Sequence, residues 1–273
     1  MNENGIAVVC PIYNSADYIN QTIDTILSQK EPPEEAIFAD DGSEDNVLTI
    51  IEQNHERFVK AGIKLKILHN PHEGPGAARN HGILSTNLSW IAFLDADDTW
   101  KTEKIKRIRD IIKKFPEINC ILHWEEYIRT DGRLTTLEHG KNFDQNISVT
   151  KQLYLNNFLS TSAVTCRRSL ILEVGCFDVT LPNGQDYDLW LKMSSRMKIK
   201  IIPEILGCYM EEAESISARP YYKRYLSNLR IVWRHRGKGN SWVLLCKILR
   251  ILISKQWFFT LRNLFQRKSS HNH

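Results

Sequence analysis

The sequence predicts an α/β fold in which a mainly parallel sheet carries helices on its faces. Three observations lead to this prediction. Short apolar runs alternate with amphipathic segments over the first hundred residues, the connections between them are short, and polar motifs follow the apolar runs. Alternation of strands and helices is typical of parallel sheets, since each crossover between parallel strands usually contains a helix.

Seven elements account for the first hundred residues. Apolar runs and period-two alternation indicate strands, and apolar residues at helical spacing indicate helices. In chain order we predict a strand at 6–10, a helix at 17–29, a strand at 36–39, a helix at 44–61, a strand at 63–68, a helix at 77–84 and a strand at 90–94. The later pattern is less regular, with strands predicted at 119–128 and 162–167 and a helix opening at 184–193.

Polar motifs stand at three predicted strand ends, P-I-Y-N at 11–14, D-D-G-S at 40–43 and D-A-D-D at 95–98. The last motif places Asp95, Asp97 and Asp98 together, where their charges repel one another. They form either an acidic turn before the helix that begins near Lys101, or a site where a cation and its phosphate ligand balance the charge. Ligands bind at the carboxyl ends of parallel strands, so three polar ends at one edge favour a site.

The composition is that of a soluble globular protein, but the charge is divided along the chain. Apolar residues make up 42% and charged residues 25% of the 273 positions, which is ordinary for a globular core. Of the 36 Lys and Arg, 13 lie after Glu214, whereas all 32 Asp and Glu lie at or before it, so the net charge is −9 up to Glu214 and +13 beyond it. The basic tail predicts a polyanionic partner, either a membrane surface or a nucleic acid.

The cysteine spacing and the hydropathy limit the cellular compartment and the membrane arrangement that the sequence predicts. The six cysteines are widely spaced, include no C-x-x-C pair and follow no secretory leader. This pattern predicts reduced thiols in the cytosol rather than disulfides or a zinc site. No uncharged apolar run reaches the roughly 18 residues that a membrane-spanning helix needs, so no span is predicted.

Five motifs carry a resemblance to a known family. They are P-I-Y-N-S-A-D-Y-I at 11–19, D-D-G-S-E-D-N at 40–46, G-P-G-A-A-R-N-H-G-I at 74–83, F-L-D-A-D-D at 93–98 and G-Q-D-Y-D-L-W-L at 184–191. In this order and at these spacings they resemble family 2 glycosyltransferases of the A-type fold, over roughly residues 5–215. The resemblance implies a Rossmann-like A-type glycosyltransferase fold with a mixed, mainly parallel sheet. We therefore expect a catalytic domain over 1–215 and a tail of basic amphipathic helices over 216–273.

The resemblance assigns the acidic cluster to a metal ion and the donor. Asp97 would hold Mg²⁺ or Mn²⁺, with Asp95 nearer the ribose or donor and Asp98 in support. Both cations prefer oxygen ligands and act as Lewis acids on phosphate groups. A cation among the carboxylates would also explain why three negative charges lie so close together.

The nucleotide would lie over the first two strands. By the resemblance, Pro11 and Tyr13 belong to the donor site with Tyr13 against the base, and Asp40 and Asp41 lie near the base and ribose. A carboxylate can accept a hydrogen bond from a uracil N–H. Taken alone, Tyr13 also suits a surface turn, and D-D-G-S also suits a turn followed by a helix cap.

Arg79 is a candidate contact of the diphosphate. It follows small residues on the opening turn of a predicted helix, and a guanidinium and a helix N-terminus both attract phosphate. An internal salt bridge to the aspartate clusters is the alternative role.

Asp186 is the candidate general base, which would take the proton from the acceptor hydroxyl in an inverting transfer. The alternative is an N-terminal helix cap. The family usually has a Glu before this Asp, and Gln185 takes its place here. A second departure is C-Y-M-E-E at 208–212, where relatives often carry Tyr-Arg or a His that reaches the metal or diphosphate. Glu211 or Glu212 would have to substitute as a third metal ligand.

The tail at 221–268 interleaves aromatic and aliphatic residues with cations, and Gly237 and Gly239 divide it into two helical pieces. The apolar part of the second piece, 242–253, is short and interrupted by two cations, which suits a helix lying in a membrane interface. Binding to nucleic acid and packing on the catalytic domain are the alternatives. The many large aliphatic residues favour an anionic membrane surface, and no nucleic-acid partner is expected.

These features predict a metal-dependent inverting glycosyltransferase that moves a sugar from a nucleotide-sugar, with a UDP-hexose as the expected donor, to an acceptor hydroxyl. The tail suggests a lipid-linked glycan of surface polysaccharide biosynthesis as acceptor, and a peripheral location on the cytoplasmic face of the cell membrane. The alternative is a catalytically silent module that binds a nucleotide-sugar or a partner at the membrane. A nucleotidyltransferase is disfavoured, because no glycine-rich loop with Lys or Arg follows the first strand.

Overall fold

A mixed sheet runs through the molecule. The structure, a computed structural model, describes residues 4–211, 221–238, 244–245 and 248–249. Within these residues the strands are β1 (Ile6–Ile12), β2 (Glu35–Asp40), β3 (Lys64–His69), β4 (Trp90–Phe93), β5 (Thr99–Trp100), β6 (Cys120–Ile128), β7 (Leu134–Leu137), β8 (Val164–Arg167) and β9 (Ile199–Met210). Their order is β3-β2-β1-β4-β8-β6-β9-β5, with β7 paired to β6.

The two halves of the sheet differ in strand direction. The first four strands are parallel to one another, which confirms the predicted α/β architecture. β8 then runs antiparallel to both β4 and β6, while β9 runs parallel to β6 and antiparallel to β5. The sheet is therefore mixed, with four neighbouring parallel strands from the first hundred residues and a second parallel pair, β6 and β9, from later in the chain.

Helices cover both faces of the sheet. They are α1 (Ile19–Leu27), α2 (Val47–Gln53), α3 (His55–Lys60), α4 (Pro75–Leu84), α5 (Lys104–Lys114), α6 (Val149–Leu155), α7 (Arg168–Glu173), α8 (Gln185–Met193) and α9 (Tyr221–Arg234). Alternate side chains of a strand point to opposite faces, so Ile6 and Val8 pack in one apolar cluster with α1 and α5, whereas Ala7 and Val9 pack in another with α8. Every residue of β1 is buried, as expected for a central strand covered on both sides.

Several predicted bounds differ from the structure. The helix predicted at 44–61 is two helices, α2 and α3, which are separated at Asn54. The Asn54 side-chain Nδ2 donates to the Ile50 carbonyl in the last turn of α2 at 2.8 Å. The strand predicted at 162–167 begins only at Val164, after a 3₁₀ turn at Thr161–Ala163. The elements β5, β7, β9, α6 and α7 were not predicted.

The first helix of the tail packs on the rest of the protein. Ile231 and Val232 of α9 are buried in the same apolar cluster as α8. The buried Tyr154 hydroxyl of α6 donates to the Val232 carbonyl at 2.6 Å. Of the three alternatives for the tail, packing is thus observed for α9, while most of the second predicted piece, 242–253, lies outside the described residues.

The described part of the chain contains no helix that is long and apolar enough to cross a membrane. Its five cysteines, Cys10, Cys120, Cys166, Cys176 and Cys208, are free thiols. Cys246 lies outside the described residues.

Candidate functional site

A cleft of about 670 Å³ opens where β1, β2 and β4 end. The turns that follow these strands form one side, and the first turns of α4 and α8 complete it. The cleft brings together seven of the nine predicted site residues, namely Pro11, Tyr13, Asp41, Arg79, Asp95, Asp97 and Asp186. The other two, Asp40 and Asp98, are buried behind it.

An aromatic pair stands at the β1 end of the cleft. The rings of Tyr13 and His72 are stacked, with centroids 4.4 Å apart. His72 Nδ1 lies 2.9 Å from the Asp41 carbonyl oxygen and 3.0 Å from Asp41 Oδ2, so the imidazole is held over the end of β2. Tyr13 is 47% exposed, which leaves it accessible to a flat ligand. His72 was not predicted, although its place between a strand and the G-P-G motif is a usable signal.

Asp40 and Asp41 have different roles although they are adjacent. The Asp40 carboxylate accepts hydrogen bonds from the backbone N–H of Gly42 and Ser43, at 3.2 and 3.1 Å, and closes the turn after β2. The structure therefore does not bring Asp40 to the cleft. Asp41 Oδ1 accepts from the N–H of Glu73 and Gly74, at 2.8 and 2.9 Å, and so fixes the turn that leads into α4 while lining the cleft.

The glycines of G-P-G-A-A-R-N-H-G allow α4 to approach its neighbours closely. A Cβ on Gly82 would lie 2.6 Å from Val9 Cγ1 of β1, and a Cβ on Gly76 would lie 2.4 Å from Gln185 Oε1 of α8. Both distances are far inside van der Waals contact. A larger residue at 82 would press on the branched Val9 side chain of β1 and push α4 away from the sheet, whereas one at 76 would displace the flexible end of Gln185. The motif therefore sets the position of the helix that carries Arg79.

Arg79 reaches the acidic cluster from α4. Its Nη2 donates to Asp95 Oδ1 at 2.6 Å, and its guanidinium lies 5.6 Å from the centre of the Phe177 ring. Within the described chain, the buried Arg79 Nε has no hydrogen-bond partner. The predicted internal salt bridge is thus present, and the same side chain also lines the cleft, where it adds positive charge.

Asp98 supports the acidic turn from inside. It is 2% exposed, and its carboxylate accepts from the Ser162 hydroxyl at 2.5 Å and from the Met210 N–H at 3.2 Å. Burial, together with the charges of Asp97, Glu125 and Asp95, raises the pKa of Asp98 well above its usual value. Asp98 therefore ties the turn after β4 to β9 rather than facing a ligand.

Ser162 is the centre of this support. Its hydroxyl oxygen accepts the Asp95 N–H at 3.1 Å as well as donating to Asp98. Its carbonyl accepts from Lys104 Nζ at 2.7 Å and from Trp100 Nε1 at 3.1 Å. The position of the acidic turn thus depends on a 3₁₀ residue about 65 positions later in the chain.

Asp95 and Asp97 fit a divalent cation. Both are partly exposed in the cleft, and both supply the hard oxygen atoms that Mg²⁺ and Mn²⁺ prefer. Burial first, and then the charges of Asp95 and Asp97, raise the pKa of the Cys10 thiol, although Arg79 opposes this effect. In the described part of the chain, four aspartate side chains and one arginine line the cleft, so acidic groups are in excess there.

The number of protein ligands is small. Among the described residues, no three His, Cys, Asp or Glu side chains converge on one metal position. Mg²⁺ is commonly held by one or two carboxylates together with substrate phosphates, and two side chains suit that arrangement. Glu211 accepts from the Tyr127 hydroxyl at 2.6 Å and does not line the cleft, and Glu212 lies outside the described residues.

Asp186 lies in the first turn of α8. The residue before the helix is Gly184, with φ of 72°, and it provides no side-chain cap, so Asp186 is inside the helix and is not its N-cap. Burial raises the pKa of Asp186, against the lowering effect of backbone N–H groups and of Arg79. The carboxylate is therefore a better proton acceptor than an ordinary aspartate.

Gln185 holds the start of α8 against its surroundings. Its Nε2 donates to the Leu181 carbonyl at 2.8 Å, and its Oε1 packs against Gly76 at the start of α4. The residue that departs from the family pattern thus joins the two helix starts that line the cleft.

The sequence matches the profile of a known protein family. The profile of the family described as glycosyl transferase family 2 matches residues 7–174. An uncharacterized glycosyltransferase of Rickettsia bellii is 27% identical over 199 residues, which are 69% of this chain and 27% of the relative. This chain therefore spans only about a quarter of that relative. The putative teichuronic acid biosynthesis glycosyltransferase TuaG of Bacillus subtilis is 26% identical over 192 residues, which are 69% of this chain and 71% of TuaG.

Comparison with solved structures shows the same fold. TarS of S. aureus in complex with UDP-GlcNAc superimposes with a TM-score of 0.71 at 19% identity, over 92% of this chain and 73% of that one. The mannosyltransferase PcManGT from Pyrobaculum calidifontis, in complex with GDP-Man and Mn²⁺, superimposes with a TM-score of 0.64 at 15% identity, over 98% and 75%.

Proposed function

The chain belongs to glycosyl transferase family 2, and on that premise we propose that it is a metal-dependent, inverting enzyme that moves a sugar from a nucleotide-sugar to an acceptor hydroxyl. One observation carries the proposal. A single cleft joins an accessible aromatic ring, a pair of partly exposed carboxylates and Asp186, a carboxylate with a raised pKa. These are the groups that bind a base, a metal-bound diphosphate and an acceptor proton.

The proposed donor is a UDP-hexose. The exposed Tyr13 ring offers a stacking surface for the base, and Asp41 lines the cleft beside it with a carboxylate that already accepts from the Glu73 and Gly74 N–H groups. TarS in complex with UDP-GlcNAc and PcManGT in complex with GDP-Man have the same fold, which supports a nucleotide-sugar donor, and the Tyr13 ring suits the base of either.

Asp97, with Asp95 beside it, would hold Mg²⁺ or Mn²⁺. When bound, the cation would neutralise the diphosphate as it leaves. Arg79 adds a fixed positive charge on the same side of the cleft, and its ion pair with Asp95 keeps both side chains in place before the donor arrives. The Mn²⁺ in the PcManGT complex supports this assignment.

Asp186 would act as the base. The acceptor oxygen forms a bond to the anomeric carbon of the sugar while the bond from that carbon to the diphosphate oxygen breaks. The bonding electron pair leaves with the diphosphate, and the acceptor proton passes to the Asp186 carboxylate. One displacement of this kind inverts the configuration of the anomeric carbon.

The proposed acceptor is a lipid-linked glycan of surface polysaccharide biosynthesis, reached from the cytoplasmic face of the membrane. The name of TuaG, which refers to teichuronic acid biosynthesis, supports this class of acceptor. The outer face of α9 supports a membrane contact, because Trp233 is 59% exposed with the Arg236 guanidinium 5.0 Å above its ring. Co-sedimentation with anionic vesicles at low salt should exceed that with neutral vesicles, and equal partitioning would exclude the membrane role.

The test of the activity is metal-dependent release of UDP. UDP-glucose, UDP-galactose and their N-acetyl forms are supplied with and without Mn²⁺ to the wild type, to Asp186→Asn and to Asp17→Asn, a matched change at an exposed residue outside the cleft. We expect turnover that needs Mn²⁺, falls by orders of magnitude in Asp186→Asn and is unchanged in Asp17→Asn. Donor binding without turnover would instead identify a binding module.

A further inference from the structure

Residues of α9 and of the turn after it contact the first turn of α8 on both sides of Asp186. We propose that Ile231 and His235, from α9 and the turn after it, are positioning residues that hold Asp186 in place for proton transfer. The inference rests on the proposed function. By this inference, the beginning of the tail contributes to catalysis together with the expected catalytic domain over 1–215.

The contact before Asp186 is made through a glycine. Gly184 precedes α8 with φ of 72°, and a Cβ at this position would lie 2.7 Å from Ile231 Cδ1. Ile231 is fully buried, so its terminal methyl group lies directly against the Gly184 backbone. Any movement of the helix start toward α9 meets this methyl group.

The contact after Asp186 is polar. Asp188 is fully buried, and its Oδ1 lies 2.8 Å from His235 Nε2 and 3.4 Å from Arg234 Nη1. Its Oδ2 pairs with Lys192 at 3.0 Å, one turn along α8. A buried carboxylate is strongly destabilising when it loses its partners, so α8 keeps this connection to α9.

Ile231 and His235 thus act on the backbone at either side of the base. The Gly184 carbonyl accepts the Asp188 N–H at 3.0 Å, which closes the turn that carries Asp186 between these two contacts. Gly184, the residue before α8, has no side chain that could cap the helix, so the turn lacks the usual local support. A shift of about 1 Å in a reacting group can lower the rate about 100-fold.

Four variants and two controls test the proposal. Ile231→Val removes only Cδ1, and Ile231→Ala removes more of the side chain. His235→Leu removes the imidazole donor to Asp188, and His235→Gln keeps a donor group at this position. Val232→Ala is the matched control, since Val232 is buried in the same cluster and adjacent in sequence. Asn228→Ala is the control on the exposed side of α9.

The readouts are kcat and KM for UDP release, the Kd of UDP by calorimetry, and the unfolding midpoint. We expect Ile231→Ala and His235→Leu to lower kcat about tenfold or more with a Kd unchanged within about twofold, and Ile231→Val to lower it about threefold. His235→Gln should recover most of the loss. Val232→Ala removes two buried methyl groups and Ile231→Val removes one, so Val232→Ala should lower the unfolding midpoint at least as much as Ile231→Val does while it leaves kcat within about twofold of wild type.

Combination with Asp186→Asn separates positioning from general instability. If Ile231 acts through the base, Ile231→Ala should lower the residual rate of Asp186→Asn by less than about twofold, because positioning no longer matters. Equal losses of kcat in Val232→Ala and Ile231→Val, an unchanged kcat in Ile231→Ala and His235→Leu, or a full additional loss in the double variant would each overturn the proposal. A wild type without turnover would overturn the proposed function and this inference with it, whereas the other outcomes concern the inference alone.

Discussion

Replacing Ser162 by alanine tests whether the acidic turn is held from the 3₁₀ turn before β8. The Ser162 hydroxyl donates to Asp98 Oδ2 at 2.5 Å and accepts the Asp95 N–H at 3.1 Å. Ser162→Ala removes both bonds and leaves a buried carboxyl group and a backbone N–H without these partners. The cleft residues affected are Asp95, which loses the partner of its N–H, and Asp97, which lies between Asp95 and Asp98 in the same turn.

The magnitude follows from these two bonds. A hydrogen bond contributes about 1 kcal/mol between neutral groups and about 1.5–3 kcal/mol to a charged one, and an unsatisfied buried group costs about 1–3 kcal/mol. Because the two bonds share one hydroxyl, their contributions are not additive. We expect the free energy of unfolding to fall by about 2–4 kcal/mol.

Ser194→Ala is the matched control. Ser194 is also buried, at 3% exposed, but its hydroxyl bonds to the neutral Leu191 carbonyl and Thr150 hydroxyl, at 2.8 and 2.9 Å. Its loss should cost about 1 kcal/mol. Urea denaturation measures both variants, and UDP release should fall in Ser162→Ala only. A difference in unfolding free energy below about 0.5 kcal/mol, or equal activities, would refute the role given to Ser162.

Three further predictions concern the donor, the base and the anchoring of α9. Tyr13→Ala should raise the Kd of UDP about 10–100-fold in calorimetry, because base stacking contributes about 1–3 kcal/mol, whereas Tyr13→Phe should keep most of the affinity. Burial raises the pKa of Asp186, and only the ionised carboxylate can accept the acceptor proton. On acidification, kcat/KM should therefore begin to fall at a higher pH than it would for an ordinary aspartate. A fall of kcat/KM at the ordinary aspartate pKa would contradict the role of Asp186 as the base. The Thr180 hydroxyl, and then Arg234, lower the pKa of Asp178 from 3.8 to about 2. The ionised Asp178 should therefore stabilise the protein fully above its ordinary pKa of 3.8 and lose this effect as the pH falls toward 2. The difference in Tm between the wild type and Asp178→Asn should disappear over that range.

The donor side of the molecule could be predicted because its signals are local. β1 to β4 are short apolar runs, and each is followed by a polar motif at the same edge of the sheet. Pro11, Tyr13, Asp41, Asp95 and Asp97 therefore converge as expected. The prediction needs no long-range contact beyond the parallel order of neighbouring strands.

The rest of the fold and of the site depends on contacts between residues that are distant in the sequence. β9 spans 12 residues with irregular burial and pairs with β6 through a bulge near Trp124, so its sequence has no clear period. Asp40 and Asp98 resemble ligands in sequence, yet backbone and serine donors already engage their carboxylates. His72 was missed because the sequence does not show that its ring stacks on Tyr13, although its place between a strand and the G-P-G motif was a signal.

The strand order also has a consequence for synthesis on the ribosome. β1 to β4 pair with one another within the first 93 residues, so the edge that would bind the nucleotide has its backbone partners early in translation. The second edge of β4 gains its backbone partners only when β8, at Val164–Arg167, has been synthesised, and the turn that carries Asp186 gains its contact through Asp188 only when His235 has been synthesised. A domain generally folds as a unit. The backbone partners of the nucleotide-binding edge are therefore all synthesised by residue 93, but the base would be set in position only after residue 235 has been added.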